Sequence, residues 1–221
     1  MTAVLRSLAT AAPGSYLEWR PVPPPYGPGE QFAAGRQAAA AALAAAGSVI
    51  RTVPRAADGR PSFPTGYPGS IAHTDRLAVA AVVPGAAGVG VDIEDAAITP
   101  RMIKFFLYER ERRTLLAPAG QHSPVELFSA KEAAFKALAG TAFGKDLLFW
   151  RIELVRSETG LVASFGGRSV PVWTYAEAGS SVALAVRRGG TAAPDGPGRP
   201  ARDGASREEQ QRDGSRCSVR A

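Results

Sequence analysis

An α+β fold is predicted by three observations. Short runs rich in Val and Ala, LAVAAVV (77–83), GVGVDI (88–93) and SVALAVR (181–187), read as buried strands. Two stretches carry helix signals, an alanine-rich run and a capped segment further on. The predicted order is helix, strands, helices, strands, which groups strands with strands instead of alternating them with helices.

The elements follow in chain order. Residues 1–28 mix apolar and Pro-rich stretches ending in PVPPPYGPGE, so an extended arm or early strand is expected, then a loop. Glu30 to Ala46 is a helix on its alanines, stopped by Gly47 and interrupted by Arg36. RAADGRPSFPTGYPG, from Arg55 to Gly69, is too rich in Pro and Gly for regular structure, and long ordered loops are often functional. Ser70–His73 and Leu77–Val83 suit a hairpin, and Gly88–Ile93 a third strand.

Arg101–Leu116 is helical by pattern. The helix over 124–139 has Ser123 as N-cap, Pro124 at its first position, Glu126 spaced for a capping box and Gly140 as its stop. Strands are expected at Leu148–Val155, Leu161–Phe165, Val170–Tyr175 and Ser181–Val186. LAVAAVV and SVALAVR look like counterparts closing two halves, 1–95 and 96–188, that meet at a cleft. Residues 189–221 have almost no large apolar side chains, so a disordered tail is expected.

Bulk properties narrow the function. A 221-residue chain of net charge +6 and pI about 9.9 suits a polyanionic ligand or an acidic partner. The single cysteine, Cys217, excludes a disulfide framework, and two histidines without a cysteine cluster argue against zinc. A secretory signal is a poor match and no window is apolar enough for a membrane span, so the cytoplasm is expected. A nucleic-acid binder would need an aromatic platform or a reading helix, and neither is recognisable.

Two stretches stand out chemically. Around FSAKEAAFKAL (128–138), Leu127, Ala130, Ala134 and Leu138 share a core face, while Phe128, Glu132, Phe135 and Lys136 share the opposite one. Glu132 and Lys136 form either an ordinary i,i+4 surface pair or part of a site. In GVGVDIE, Asp92 and Glu94 alternate with Val91 and Ile93, so both carboxylates leave one face of the strand. That is either a strand end reaching solvent or, with Glu132 as a third carboxylate, a set suited to a hard cation such as Mg²⁺.

GVDIE followed by FSAKEAAFK resembles the paired signature of 4′-phosphopantetheinyl transferases, in particular their Sfp-like and EntD-like branch. GRPSFPTGYPGSIAH, FAAGRQAAAAAL with Arg36, and FFLYERE with Glu111 resemble further segments of that branch, so the likeness spans 31–138. The resemblance implies two pseudo-symmetric α/β halves with antiparallel sheets, an interface cleft, and a monomer. It also implies Mg²⁺-dependent transfer of the phosphopantetheine arm of coenzyme A to a serine of an acidic apo acyl or peptidyl carrier protein, releasing 3′,5′-ADP.

By the same resemblance Asp92, Glu94 and Glu132 hold Mg²⁺. Glu132 is the base, directly or through water, and Lys136 stabilises the phosphates. Arg36, Arg60 and His73 grip the 3′-phosphate and diphosphate, and Gly59 and Pro61 shape the loop near the adenine. Lys131 lies either over the diphosphate or in a surface pair. Arg60 keeps the charge of the lysine usual in the Gly–basic–Pro triplet. Ala72 replaces a usual serine, so one hydrogen bond to phosphate is expected to be missing. A non-catalytic binder of coenzyme A or carrier protein, and a hydrolase cleaving the diphosphate with water, are the rival readings. Whether the carrier serves polyketide, peptide, siderophore or fatty-acid synthesis is left open.

Overall fold

Helix α1 (Thr2–Ala11) occupies the N-terminus where an extended arm is expected from sequence. No side chain caps its start, which removes the usual sequence signal. It holds because Val4, Leu5 and Leu8 are buried, each worth roughly 1.5–3 kcal/mol. The computed structural model describes residues 1–139, 148–177 and 179–189. Gly140, expected as a helix stop, and the tail from 190 onward lie outside these residues.

Strand β1 (Tyr16–Pro21) follows, then α2 (Pro28–Ala45), and then the long loop. The hairpin is present as β2 (Gly69–His73) and β3 (Leu77–Val82). These strands form an antiparallel three-stranded sheet in the order β1-β3-β2. Strand β4 (Ala86–Glu94) leaves that sheet and pairs with β8 (Ser180–Arg188), so the change of sheet falls between Val82 and Ala86. The second sheet, also antiparallel, runs β4-β8-β7-β6-β5, with β5 at Glu153–Ser157, β6 at Gly160–Phe165 and β7 at Arg168–Glu177.

Two further expected elements differ. The helix over 101–116 is two, α3 (Pro100–Phe106) and α4 (Glu109–Thr114), parted by extended backbone at Leu107 and Tyr108. The expected strand over 148–155 starts later, after a single 3-10 turn at Phe149–Arg151. There Phe149 meets Phe128 edge-on with ring centres 5.5 Å apart, and Phe128 meets Phe106 at 5.1 Å. Aromatic packing holds this segment against α5 (Pro124–Leu138) instead of letting it extend the sheet.

The layers follow from strand alternation. Ala38, Ala39, Ala42 and Leu43 of α2 pack on Ala80 and Val82. The opposite face of that sheet, with Val79 and Ala81, shares a core with α1 and with Val89, Val91 and Ile93 of β4. On the far side of the second sheet, Leu127, Ala130, Ala134 and Leu138 of α5 are fully buried against Ala183 and Ala185. The face predicted for the core is therefore the buried one.

Candidate active site

Glycine makes the site possible. Gly88, Gly90 and Asp92 share the face of β4 turned toward α5, and a Cβ at Gly90 would run into the Ala133 carbonyl, one at Gly88 into that of Ala137. The helix backbone thus lies directly on the strand, close enough for side chains one turn apart to meet the strand's carboxylates. The helix start is fixed by the expected box: the Glu126 carboxylate accepts from Ser123 N at 2.8 Å, and Ser123 Oγ accepts from Glu126 N at 3.4 Å.

Lys136 Nζ donates to Asp92 Oδ1 at 2.6 Å and to the Val91 carbonyl at 3.0 Å. Asp92 is buried, and its other oxygen, Oδ2, has no hydrogen-bond partner of good geometry among the described residues. Burial pushes the Asp92 carboxyl up despite the Lys136 ammonium. Burial first, and then Asp92, raises Glu132 as well. Glu94 is raised to about 7 by burial, then by the charges of Asp92 and Glu132. Three carboxyls that disfavour one another's ionisation, one with a free buried oxygen, suit a bound cation.

They do not form a ready-made coordination shell: among the described residues no group of three or more His, Cys, Asp or Glu is arranged to hold a metal. Within this set the Lys136 ammonium is paired with Asp92.

Beside this pair opens a cleft of about 800 Å³, walled by the Gly59–Gly69 loop on one side and by Phe135 and Lys136 on the other. Gly59 and Pro61 also line an adjoining hollow of about 380 Å³ that holds Arg36, Arg55 and His73. The loop is shaped by Gly59 at φ +85° and by bonds from Gly59 N to Ala56 O and from Ala56 N to Arg60 O, at 2.9 and 2.8 Å. Lys136 is the expected ligand residue that touches the cleft from α5; Asp92, Glu94 and Glu132 line neither hollow.

Two guanidiniums meet at one ring in the hollow. Arg36 lies over the Phe32 ring at 4.4 Å and Arg55 over the same ring at 5.1 Å. Burial and the Arg55 charge lower the Arg36 pKa, and its buried Nε has no hydrogen-bond partner among the described residues. Arg55 was not a candidate from sequence, because its link to Arg36 runs through a ring on another element. Its place at the head of the long loop was the available signal. Arg60 is exposed and paired with Asp58 at 2.6 Å. An exposed pair of this kind is weak and screened by solvent.

Two expectations are corrected. Lys131 neither reaches the cleft nor lies at the surface: it is fully buried, bonded to Glu111 at 2.8 Å and to the Phe106 carbonyl at 2.7 Å. A position about 100° round the helix from Glu132 faces α3 and α4, whose break supplies these partners. Ala72 belongs to the core with Val79, while Ile71 and His73 face the hollow. A side chain at 72 therefore points away from the hollow, and serine there would bring no hydroxyl to it.

Comparison with known proteins agrees with the resemblance at the level of the superfamily. Residues 30–83 match the family model of the 4'-phosphopantetheinyl transferase N-terminal domain, and residues 88–187 that of the 4'-phosphopantetheinyl transferase superfamily. The two matches divide the chain where it passes from one sheet to the other. A search among curated proteins finds no match. One similar solved structure is the holo-[acyl-carrier-protein] synthase of Thermotoga maritima, 24% identical with a TM-score of 0.36, covering 47% of this chain and 64% of that one.

Proposed function

The chain belongs to the 4′-phosphopantetheinyl transferase superfamily, and on that premise we propose that it moves the phosphopantetheine arm of coenzyme A to a serine of an apo carrier protein. The reaction would depend on Mg²⁺ and release 3′,5′-ADP. The protein would act as a cytoplasmic monomer on acidic acyl or peptidyl carriers, toward which a +6 chain is steered. The observation that carries the reading is the Asp92–Lys136 pair, its carboxylate buried and its ammonium at the wall of a cleft joined to a cationic hollow, with two further raised carboxyls beside it.

The roles follow from charge. Coenzyme A is anionic at its 3′-phosphate and its diphosphate. Arg36, Arg55 and His73 in the hollow would take the 3′-phosphate, an anion that relieves the repulsion between the two guanidiniums. Gly59 and Pro61, shared by both cavities, would wall the nucleoside, and Arg60 would turn from Asp58 to the diphosphate. Lys136 would swing its ammonium from Asp92 onto the diphosphate oxygens, where negative charge grows during transfer. Asp92, Glu94 and Glu132 would hold Mg²⁺, which when bound supplies charge neutralisation at the diphosphate.

The serine hydroxyl attacks phosphorus, a new oxygen–phosphorus bond forms, and the bond to the ADP phosphate oxygen breaks. The hydroxyl proton goes to Glu132, directly or through one water; burial has raised this carboxyl, making it a better proton acceptor than an exposed one.

Nucleotide release tests the reading. Incubated with coenzyme A and Mg²⁺, the protein is expected to form 3′,5′-ADP only when an apo carrier is present. 3′,5′-ADP formed without a carrier would support the hydrolase reading, and none under either condition would support the binder.

A further inference from the structure

The break between α3 and α4 and the buried Lys131 belong to one network. Glu111 is 2% exposed and Lys131 0%. One oxygen of Glu111, Oε2, accepts from Lys131 Nζ at 2.8 Å and from Tyr108 N at 2.7 Å; the other, Oε1, accepts from Leu154 N at 2.7 Å. Lys131 Nζ also donates to the Phe106 carbonyl at 2.7 Å and lies 4.9 Å from the centre of the Tyr108 ring. The extended backbone at Leu107 and Tyr108 is what frees the Tyr108 N–H for the acid. Leu154 stands on β5, the edge strand, so its outward N–H finds its partner in Glu111.

One ion pair therefore ties α5 to α3, α4 and β5. Buried pairs of this kind return little net stability, because desolvation offsets the attraction, and well-packed neutral side chains often serve as well. What the pair does add is direction. Lys131 precedes Glu132 on the helix, and successive residues differ by about 100° in azimuth. Lys131 and Lys136 hold α5 on two flanks, and the Lys131–Glu111 hold is the one that persists when Lys136 turns from Asp92 to a ligand.

We propose that Glu111 and Lys131 are positioning residues: their pair sets the rotation of α5 and so aims Glu132 at the Asp92 and Glu94 side of β4. The inference rests on the transfer reading for its consequence in turnover. Lys131→Met alone would leave the Glu111 carboxylate buried without a counter-charge, so the double variant Glu111→Gln/Lys131→Met carries the test.

Three quantities are compared with the wild type: the melting temperature, kcat and KM for coenzyme A in carrier loading, and Mn²⁺ affinity in the presence of coenzyme A, read by electron paramagnetic resonance. The double variant is expected to melt within a few degrees of the wild type. Its kcat should fall about tenfold or more with KM within about twofold, as misplacement of a reacting group gives, and its Mn²⁺ affinity should weaken severalfold. Wild-type kcat and Mn²⁺ affinity in the double variant would overturn the proposal, as would a lowered melting temperature with both unchanged. If the wild type loads no carrier yet its Mn²⁺ affinity exceeds that of the double variant, the transfer reading falls and the positioning role stands.

Discussion

Lys136 Nζ stands 2.6 Å from Asp92 Oδ1 and 3.0 Å from the Val91 carbonyl, so one ammonium closes helix α5 onto strand β4. The Asp92 side chain is 7% exposed and that of Lys136 30%. Replacing Lys136 by Met should cost on the order of 2 kcal/mol, below the range for fully buried pairs because the ammonium is partly solvated. Melting temperature should drop by about 4–8 °C. An Asp92→Asn/Lys136→Met double variant should recover part of that loss, which thermal denaturation monitored by circular dichroism measures.

Glu132→Gln separates chemistry from folding. Removing one of three mutually repelling carboxyls should leave the melting temperature equal or higher. Carrier loading should fall by about 10²-fold or more, the usual contribution of a general base. Near-normal turnover in this variant would count against Glu132 as the proton acceptor.

Stability should depend on pH through Glu94. The folded carboxyl titrates at about 7, whereas an unfolded glutamate titrates near 4.3, on the order of its model-peptide value. Between these values the folded state holds the extra proton. This contribution is therefore fully present below the unfolded value, declines as pH rises toward about 7, and is absent above it. Asp92 and Glu132, also raised, act in the same direction. Without added metal, the melting temperature is expected to be lower at about pH 8 than at about pH 5, and Glu94→Gln should flatten the difference. Saturating Mg²⁺ should raise the melting temperature more at the higher pH, where the carboxyls are ionised. An equal effect at both would contradict the cation-site assignment.

His73→Ala and Arg55→Ala test the hollow. Each should raise the KM for coenzyme A about tenfold, a 1.4 kcal/mol loss typical of one charged contact, with kcat little changed. Lowered kcat at unchanged KM would move the residue from binding into the chemical step.

Gly90→Ala tests the strand–helix approach. The added methyl meets the Ala133 carbonyl, so α5 must shift, at a cost of about 1–3 kcal/mol. Carrier loading should fall with stability, because the same shift displaces Glu132 and Lys136 from Asp92.

Each half of the site was legible because it is local, while the meeting of Asp92 with Lys136, 44 positions apart, was implied by the family resemblance. GVGVDIE shows two acids on one strand face, and Ser123, Pro124 and Glu126 mark where α5 begins, which sets the faces of Glu132 and Lys136. What the sequence hid depends on contacts between distant segments. Helix α1 carries Val4, Leu5 and Leu8 at helical spacing but has no cap, so its stability comes from the sheets it covers. The break at Leu107 has no Pro or Gly to announce it; it is stabilised by Glu111 and Lys131 instead. A helical wheel gives the direction of Lys131 but not what waits there. Arg55 and Arg36 come together at the ring of Phe32.

Intact-mass spectrometry of an apo carrier protein, after incubation with this protein, coenzyme A and Mg²⁺, is the most direct test of the central claim. The carrier should gain one phosphopantetheine arm on its serine, and chelating the metal should abolish the gain. Several acyl and peptidyl carriers left unmodified under these conditions, by a folded protein, would contradict it.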